Sequence, residues 1–464
     1  MALRRVLVAN RGEIAFRVVR ACADEGMESA VVVSEVDRES RAALVADRAV
    51  CIGPASASAS YLDVRRVVAA ALATGCDAVH PGYGFLSERP ELAEACLQNG
   101  IAFVGPYPDT IRRGGDKAAA RQIAASVGIP VGAGSDTISD ADTARRVADS
   151  VGYPVVFKAA AGGGGRGMVL VESDGDVTTA FDQARREAQA AFGDGRLYLE
   201  RFLTRARHVE VQVLADQHGH IVHLGERDCS AQRRYQKLVE EAPATAVPEA
   251  VRGELHEAAV ALARALNYVG AGTVEFIVDA QSGEYAFLEV NTRVQVEHPV
   301  TEMVTGVDIV RAQLQIAGGL PLGFRQSDIA MQGHAVEARV NAEDPARGFA
   351  PAPGVLTRWV EPAASWLRID THCFGGYRIP PYYDSLLAKV IAYGSSRDEA
   401  LTRLDHGLRH LVAQGVPTTV PMLLRLIGSS EFGAGTHHTR WVEQQLMPSL
   451  AVDAMGSGPT AMST

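Results

Sequence analysis

The sequence predicts two fold classes in one chain: a doubly wound α/β unit with a parallel sheet at the N-terminus, then α+β units built on antiparallel hairpins. Three observations predict this. Over residues 3–105, short apolar strand patterns alternate with helical ones across Gly- and Pro-containing connections. From Arg207 onward, strand patterns succeed one another across short turn signals. The length of 464 residues corresponds to about three domains at roughly 150 residues each.

In chain order, Leu3–Ala9 is an apolar strand and Gly12–Ala23 a helix. Ala30–Ser34 is β-rich, Tyr61–Leu72 helical, Asp77–His80 extended, Glu88–Gln98 helical and Ile101–Gly105 a strand. Sheets of this kind bind ligands beyond the carboxyl ends of their strands. The loops NRGE at 10–13 and HPGYGFLSE at 80–88 sit at such ends. Lys117–Ser126 is an Ala-rich helix, and VGIPVGAGSD at 127–136 reads as a boundary. Val155–Ala160, Met168–Glu172 and Leu197–Glu200 are strands around a helix at Val177–Gln189. His208–Ala215 and His220–Glu226 flank QHG, and Gly272–Val278 and Tyr285–Val290 flank AQSG, which are two hairpin signals. Helices follow at Pro248–Leu266 and Val307–Ala317. The last part carries strands at His334–Asn341 and Leu387–Tyr393 and helices at Arg397–Leu411 and Arg440–Leu446.

Composition excludes several function classes. Hydrophobic residues make up 47% and charged residues 22%, which are globular values. The net charge of −10 argues against general nucleic-acid or anionic-membrane binding. No apolar run approaches the roughly 18 residues of a membrane span. The apolar start ends at Ala9, too short for a signal-peptide core. The six cysteines form no CxxC pair, which disfavours zinc clusters and a disulfide framework and points to a reduced, cytoplasmic setting.

Three segments carry chemistry. Gly162–Gly167 reads GGGGRG but joins two strands and opens no helix, so it is not a dinucleotide fingerprint. It is either a plain hairpin or a flap whose bare N–H groups close over phosphates. Lys158, four residues before the glycines, favours a polyphosphate. The second segment, Gly272–Pro299, sets Glu275 and Glu289 inside apolar strand runs, where a carboxylate is costly to bury without a partner. If the chain stays extended, Glu289, Asn291, Arg293, Gln295 and Glu297 share one face. Glu275, Glu289 and Asn291 are oxygen donors that suit magnesium, the plain alternative being an ion-pair ladder. The third segment, ERDCSAQRRYQKLVEEAP at 226–243, is either a solvated charged loop or an oxyanion-holding cluster. There is no GxSxG elbow, HExxH helix or P-loop. His218, His220 and His223, and the pair His437–His438, read as structural or surface histidines.

Together, VANRGEIAFRV at 8–18, HPGYGFLSE at 80–88, GGGGRGM at 162–168, ERDCSAQRRYQK at 226–237, LEVNTRVQVEHPVTE at 288–302 and PPYYDS at 380–385 resemble the biotin carboxylase family of the ATP-grasp superfamily. The resemblance covers roughly residues 3–448, and LEVNTRVQVEHPVTE is its most specific part. It implies an N-terminal pre-ATP-grasp domain over 1–116, an ATP-grasp domain over 117–320 with a mobile lid at about 131–204, a C-terminal biotin carboxylase domain over 321–448, and a disordered tail at 449–464. The implied reaction is carboxylation of biotin by ATP and bicarbonate through carboxyphosphate, the first half-reaction of an acetyl-CoA or acyl-CoA carboxylase. By the same resemblance ATP would meet Lys117, Lys158, Gly164, Gly165, Glu200, Leu203, His208, Gln232, Tyr235, Glu275 and Glu289. Glu275, Glu289 and Asn291 would hold magnesium or manganese. Lys237, Arg293, Gln295 and the Val296 backbone would bind bicarbonate, with Glu297 as its base. Arg339 would stabilise the biotin enolate, with Tyr83 and Asp384 nearby.

Two departures stand out. Tyr235 replaces a usual His at a nucleotide-contacting position, and Ala161 shortens the usual five-glycine run to four. The chain shows no AMKM-type biotinylation site, so the resemblance implies biotin on a separate carrier protein, a separate carboxyltransferase and a homodimer. Two other readings are a different ATP-grasp carboxylate–amine ligase and a non-catalytic nucleotide-binding homologue.

Overall fold

The computed structural model describes residues 3–135, 137–161, 167–279 and 282–448. The N-terminal sheet is parallel: β1 (Arg5–Val8), β2 (Glu28–Ser34), β3 (Arg48–Gly53), β4 (Ala78–His80) and β5 (Ala102–Phe103), in the order β3-β2-β1-β4-β5. Val6, Leu7 and Val8 are fully buried, because helices cover both faces and a parallel strand therefore reads as an unbroken apolar run. The expected strands and helices are present; β3 is an addition to them. It is an edge strand of the sheet, half of whose RAVCIG residues are exposed.

The two loops at the strand ends are tied together. The Asn10 amide donates to the carbonyls of Pro81 and Tyr83, both at 2.7 Å. Gly82 lies between them at φ +62°, and a Cβ there would stand 2.9 Å from Asn10 Nδ2. Only glycine accepts both the backbone angle and the close approach.

A small antiparallel sheet of β6 (Val155–Ala159), β7 (Met168–Val171) and β8 (Leu197–Arg201) packs on the helices Ala141–Val151 and Val177–Phe192. The four-glycine run, with Gly164 and Gly165, lies outside the described residues.

The rest is organised by an eight-stranded sheet. Its strands are β9 (Ala206–Ala215), β10 (Ile221–Arg233), β11 (Gln236–Ala242), β12 (Gly270–Asp279), β13 (Tyr285–Asn291), β14 (His334–Asn341), β15 (Leu367–Thr371) and β16 (Leu386–Gly394). The order is β13-β12-β9-β10-β11-β14-β16-β15, antiparallel throughout. Segment 226–243 is therefore not a solvated loop; it forms the centre of this sheet as β10 and β11. The charges are tolerated because they are paired. Arg227 is fully buried and donates to Glu210 (2.6 Å), Gln212 (2.8 Å), Gln295 (3.0 Å), Thr301 (3.0 Å) and Thr273 (3.2 Å). That is one acceptor for each guanidinium N–H, the condition for burying the group.

The extended row beyond Asn291 is also corrected. The strand stops there, residues 292–297 turn, and the helix His298–Thr305 begins with Pro299 in its first turn. Near the C-terminus, Val442–Leu446 winds as a π-helix rather than the expected α-helix. His437 is buried against Arg207, while His223 stacks on His256 at 4.1 Å between ring centroids. No helix among the described residues is long and apolar enough to cross a membrane.

Buried histidines set a pH dependence. Burial pulls the imidazoles of His80 and His372 down to about 3 and those of His223 and His437 down to about 4. A free histidine titrates near 6.5, so between those values the unfolded chain binds more protons and stability falls as pH falls. Glu226 adds to this at lower pH. Burial pushes its carboxyl up, but His256 and Arg252 hold it down to about 2, so its contribution disappears only as pH drops from about 4.5 toward 2. Urea midpoints should therefore fall from pH 7 to pH 4, and His223→Phe should make that fall smaller; an equal fall would contradict the role given to His223.

Candidate active site

A cavity of about 1350 Å³ opens between the eight-stranded sheet, the small sheet and the 80–88 loop. All the described candidate residues line it: Tyr83, Lys117, Lys158, Glu200, Leu203, His208, Gln232, Tyr235, Lys237, Glu275, Glu289, Asn291, Arg293, Gln295, Val296, Glu297, Arg339 and Asp384.

Strand register explains the density of charge on its floor. Glu275 on β12 lies directly opposite Glu210 on β9 and Glu289 on β13. Like charges at opposed positions repel, so cations must intervene. Lys237 Nζ reaches Glu210 and Glu297, each at 2.5 Å, and Glu275 at 3.2 Å. His208 Nε2 stands 2.9 Å from the other Glu275 oxygen, and Lys117 pairs with Glu289 at 2.9 Å. Burial opposes charge on His208, yet Glu275 raises its imidazole above the ordinary value. For Glu275, burial pushes up while Lys237 and His208 hold the carboxyl well below the usual range.

Glu297 sits between two cations. One oxygen accepts from Lys237 and the other from Arg339 Nη2 at 2.8 Å. Burial pushes its carboxyl up, but Lys237, Arg339 and Arg227 hold it well below the carboxylate range, so it is ionised. Arg339 also donates through Nε to Glu240 at 2.6 Å. Glu240 is the opposite case: burial wins and lifts it to about 7.

Toward one end, Glu200 accepts from both Lys158 and Arg121. Toward the other, Arg293 donates to Glu88 at 2.9 Å and to Asn291 Oδ1 at 3.0 Å, and Gln295 donates to Glu275 at 2.8 Å. Tyr83 donates to Glu13. Asp384 is largely exposed and faces Arg11 at 3.6 Å. The oxygen donors Glu275, Glu289 and Asn291 fit a hard cation: the opposed pair carries two negative charges that a divalent ion would neutralise. His208, Glu210 and Glu275 bring one ligand atom each within 4.8 Å of one another, which adds Glu210 to the expected set.

Glu210, Glu240 and Glu88 are absent from the expected set. For Glu210 a signal exists: it is a carboxylate inside the apolar run HVEVQVL, the same pattern that singles out Glu275. Glu88 and Glu240 carry no such mark, since their partners come from distant segments.

The comparisons with known proteins divide along this architecture. Residues 2–111 match the model of the biotin carboxylase N-terminal domain, 116–325 that of the carbamoyl-phosphate synthase L chain ATP-binding domain, and 337–444 that of the biotin carboxylase C-terminal domain. Biotin carboxylase 1 of Bacillus subtilis is 44% identical over 456 residues, covering 98% of this chain and 100% of the relative. The chain belongs to the biotin carboxylase family. The biotin carboxylase of Pseudomonas aeruginosa is 47% identical, covering 96% of this chain and 99% of the relative. Among solved structures, a biotin carboxylase–β,γ-ATP complex from Campylobacter jejuni superposes with a TM-score of 0.93 at 41% identity, covering 96% and 99% of the two chains. The biotin carboxylase domain dimer of Hydrogenobacter thermophilus 2-oxoglutarate carboxylase, in complex with MgADP, ADP and bicarbonate, gives 0.92 at 43% identity, covering 96% and 98%. The fold is thus that of an ATP-grasp biotin carboxylase.

Within this family fold, Tyr235 occupies an unusual turn. The β10–β11 hairpin closes over Arg234 and Tyr235 alone, at φ +49° and +65°. Two-residue hairpins of this type prefer Asn-Gly, because left-handed backbone costs other residues roughly 1 kcal/mol each. Glu443 steadies the turn by accepting from the Arg234 N–H at 2.5 Å. Arg234→Asn with Tyr235→Gly should stabilise the fold by about 1 kcal/mol in urea unfolding; a loss of stability would show that the Tyr235 ring contributes more than its backbone costs.

Proposed function

We infer that this chain carboxylates biotin with ATP and bicarbonate, and that Glu297 is the base that draws the proton from bicarbonate. The observation that carries this reading is Glu297 ionised between Lys237 and Arg339, with Glu275 and Lys117 on the same cavity floor.

Bicarbonate is a weak nucleophile and needs a general base. Lys237, Arg293, Gln295 and the Val296 N–H are the groups that would hold it against Glu297. Before substrates arrive, the two cations keep Glu297 a weak base. An anion that engages Lys237 and Arg339 takes a share of their charge, and the proton affinity of Glu297 then rises toward what the transfer needs. Lys117, Lys158, Glu200, Leu203, His208, Gln232 and Tyr235 form the nucleotide end. Glu275, Glu289 and Asn291 would hold magnesium or manganese, which supplies charge neutralisation on the phosphate oxygens. Phosphoryl transfer then depends chiefly on positioning and on the Lys and Arg charges. The product, carboxyphosphate, is labile, so the expected lid at 131–204 serves by excluding water. Arg339 faces biotin, where its guanidinium stabilises the enolate left when the ureido nitrogen loses its proton; Tyr83 and Asp384 border that end.

Supporting features also suggest the wider setting. Similar solved structures come from larger carboxylases, among them the biotin carboxylase component of a pyruvate carboxylase. A separate biotin carrier protein and carboxyltransferase are the partners this implies, with the chain acting as a homodimer divided at 1–116, 117–320 and 321–448. The six free cysteines suit the cytoplasm.

Glu297→Gln keeps the shape and removes the basic carboxylate. Nucleotide binding should persist while bicarbonate-dependent turnover falls by about 10²–10⁴-fold, the usual cost of losing a general base. Turnover near that of the unaltered protein would remove Glu297 from the role.

A further inference from the structure

Strands β14 and β16 set Arg339 directly opposite Lys389, so both side chains leave the sheet on one face. They meet consecutive residues of the 292–297 turn. Arg339 holds the Glu297 carboxylate at 2.8 Å, and Lys389 Nζ donates to the main-chain carbonyl of Val296 at 3.1 Å.

Lys389 is fully buried; it also pairs with Glu13 at 3.1 Å and the cross-strand Asp370 at 3.6 Å, and the buried Glu337 acts on it electrostatically. A buried ammonium must satisfy its donors and neutralise its charge, and the Val296 carbonyl, Glu13 and Asp370 together do both. Glu13 in turn accepts the Tyr83 hydroxyl. Asp370 does not depend on Lys389 alone, since Arg368 donates to both its oxygens at 2.8 and 2.7 Å. One ammonium thus joins three segments that are distant in sequence: the turn bearing Val296, the first turn of the helix Gly12–Asp24 bearing Glu13, and the C-terminal strands. The Val296 carbonyl lies in a turn rather than in a strand ladder, so the Lys389 hydrogen bond helps to fix the orientation of that peptide.

We propose that Lys389 is a positioning residue for two substrates at once: it orients Val296 toward bicarbonate, and through Glu13 it sets the Tyr83 hydroxyl at the biotin end. The proposal rests on the bicarbonate and biotin reading given above.

The test uses the full chain with Lys389→Met, and with Lys389→Met/Glu13→Gln, which removes the ion pair as a unit and leaves Asp370 with Arg368. ADP release is measured against bicarbonate and free biotin, and nucleotide binding separately. In folded protein, the KM for bicarbonate should rise about tenfold and that for free biotin several-fold, with nucleotide Kd unchanged within about twofold. A purely structural lysine would lower the melting temperature and leave both KM values within about twofold, and that result overturns the proposal. If neither variant folds, Lys389 belongs to the fold rather than to substrate positioning, and the proposal is likewise overturned. Wild-type protein without bicarbonate-dependent ADP release would instead remove the underlying reading.

Discussion

The site depends on the ammonium of Lys237. Three carboxylates, Glu210, Glu275 and Glu297, converge on it from two strands and a turn, each within 3.2 Å. Without that cation, the opposed Glu210 and Glu275 would keep only Arg227 and His208 as counter-charges, and removing one partner from a buried ionic cluster is strongly destabilising. Arg227 supports the cluster from beneath through Glu210, and Arg339 supports it from the side through Glu297. Such a preformed array suits chemistry in which negative charge arrives with each substrate, because incoming anions redistribute cations that are already in place.

The eight-stranded sheet makes this array possible. It runs unbroken from β13 through β14 to β15, so residues from β12 and β13 and from the C-terminal part stand on one continuous sheet. Antiparallel register decides which groups face each other. It sets Glu275 against both Glu210 and Glu289, and Arg339 against Lys389. Strands are stiff supports, so the charges are fixed while the small sheet of β6, β7 and β8 stands across the cavity.

Much of this is legible in the sequence, for identifiable reasons. Strand His334–Asn341 has the bounds its pattern predicts because its alternation is strong. The parallel sheet is legible because the apolar strand Leu3–Ala9 and the short extended Asp77–His80 each lead into a Gly-containing loop within an alternating strand–helix pattern. Glu275 and Glu289 are legible because a carboxylate inside an apolar strand calls for a partner. Segment 226–243 is ambiguous in sequence because its buried charges look identical to exposed ones until their partners, on β9, β14 and the helix His298–Thr305, are brought in by the fold. The turn after Asn291 is hidden because an alternating pattern says nothing about where a strand stops. Lys389 is hidden for a related reason: in LLAKVIAYG it is a lone charge, and its acceptors lie on segments far away in sequence.

The central claim is that this charged cavity couples ATP cleavage to bicarbonate and biotin. ADP release from ATP and magnesium, measured with and without bicarbonate and with and without free biotin, tests it most directly. The account predicts release that requires bicarbonate and rises when biotin is added. Release indifferent to bicarbonate, or nucleotide binding without release, would contradict it.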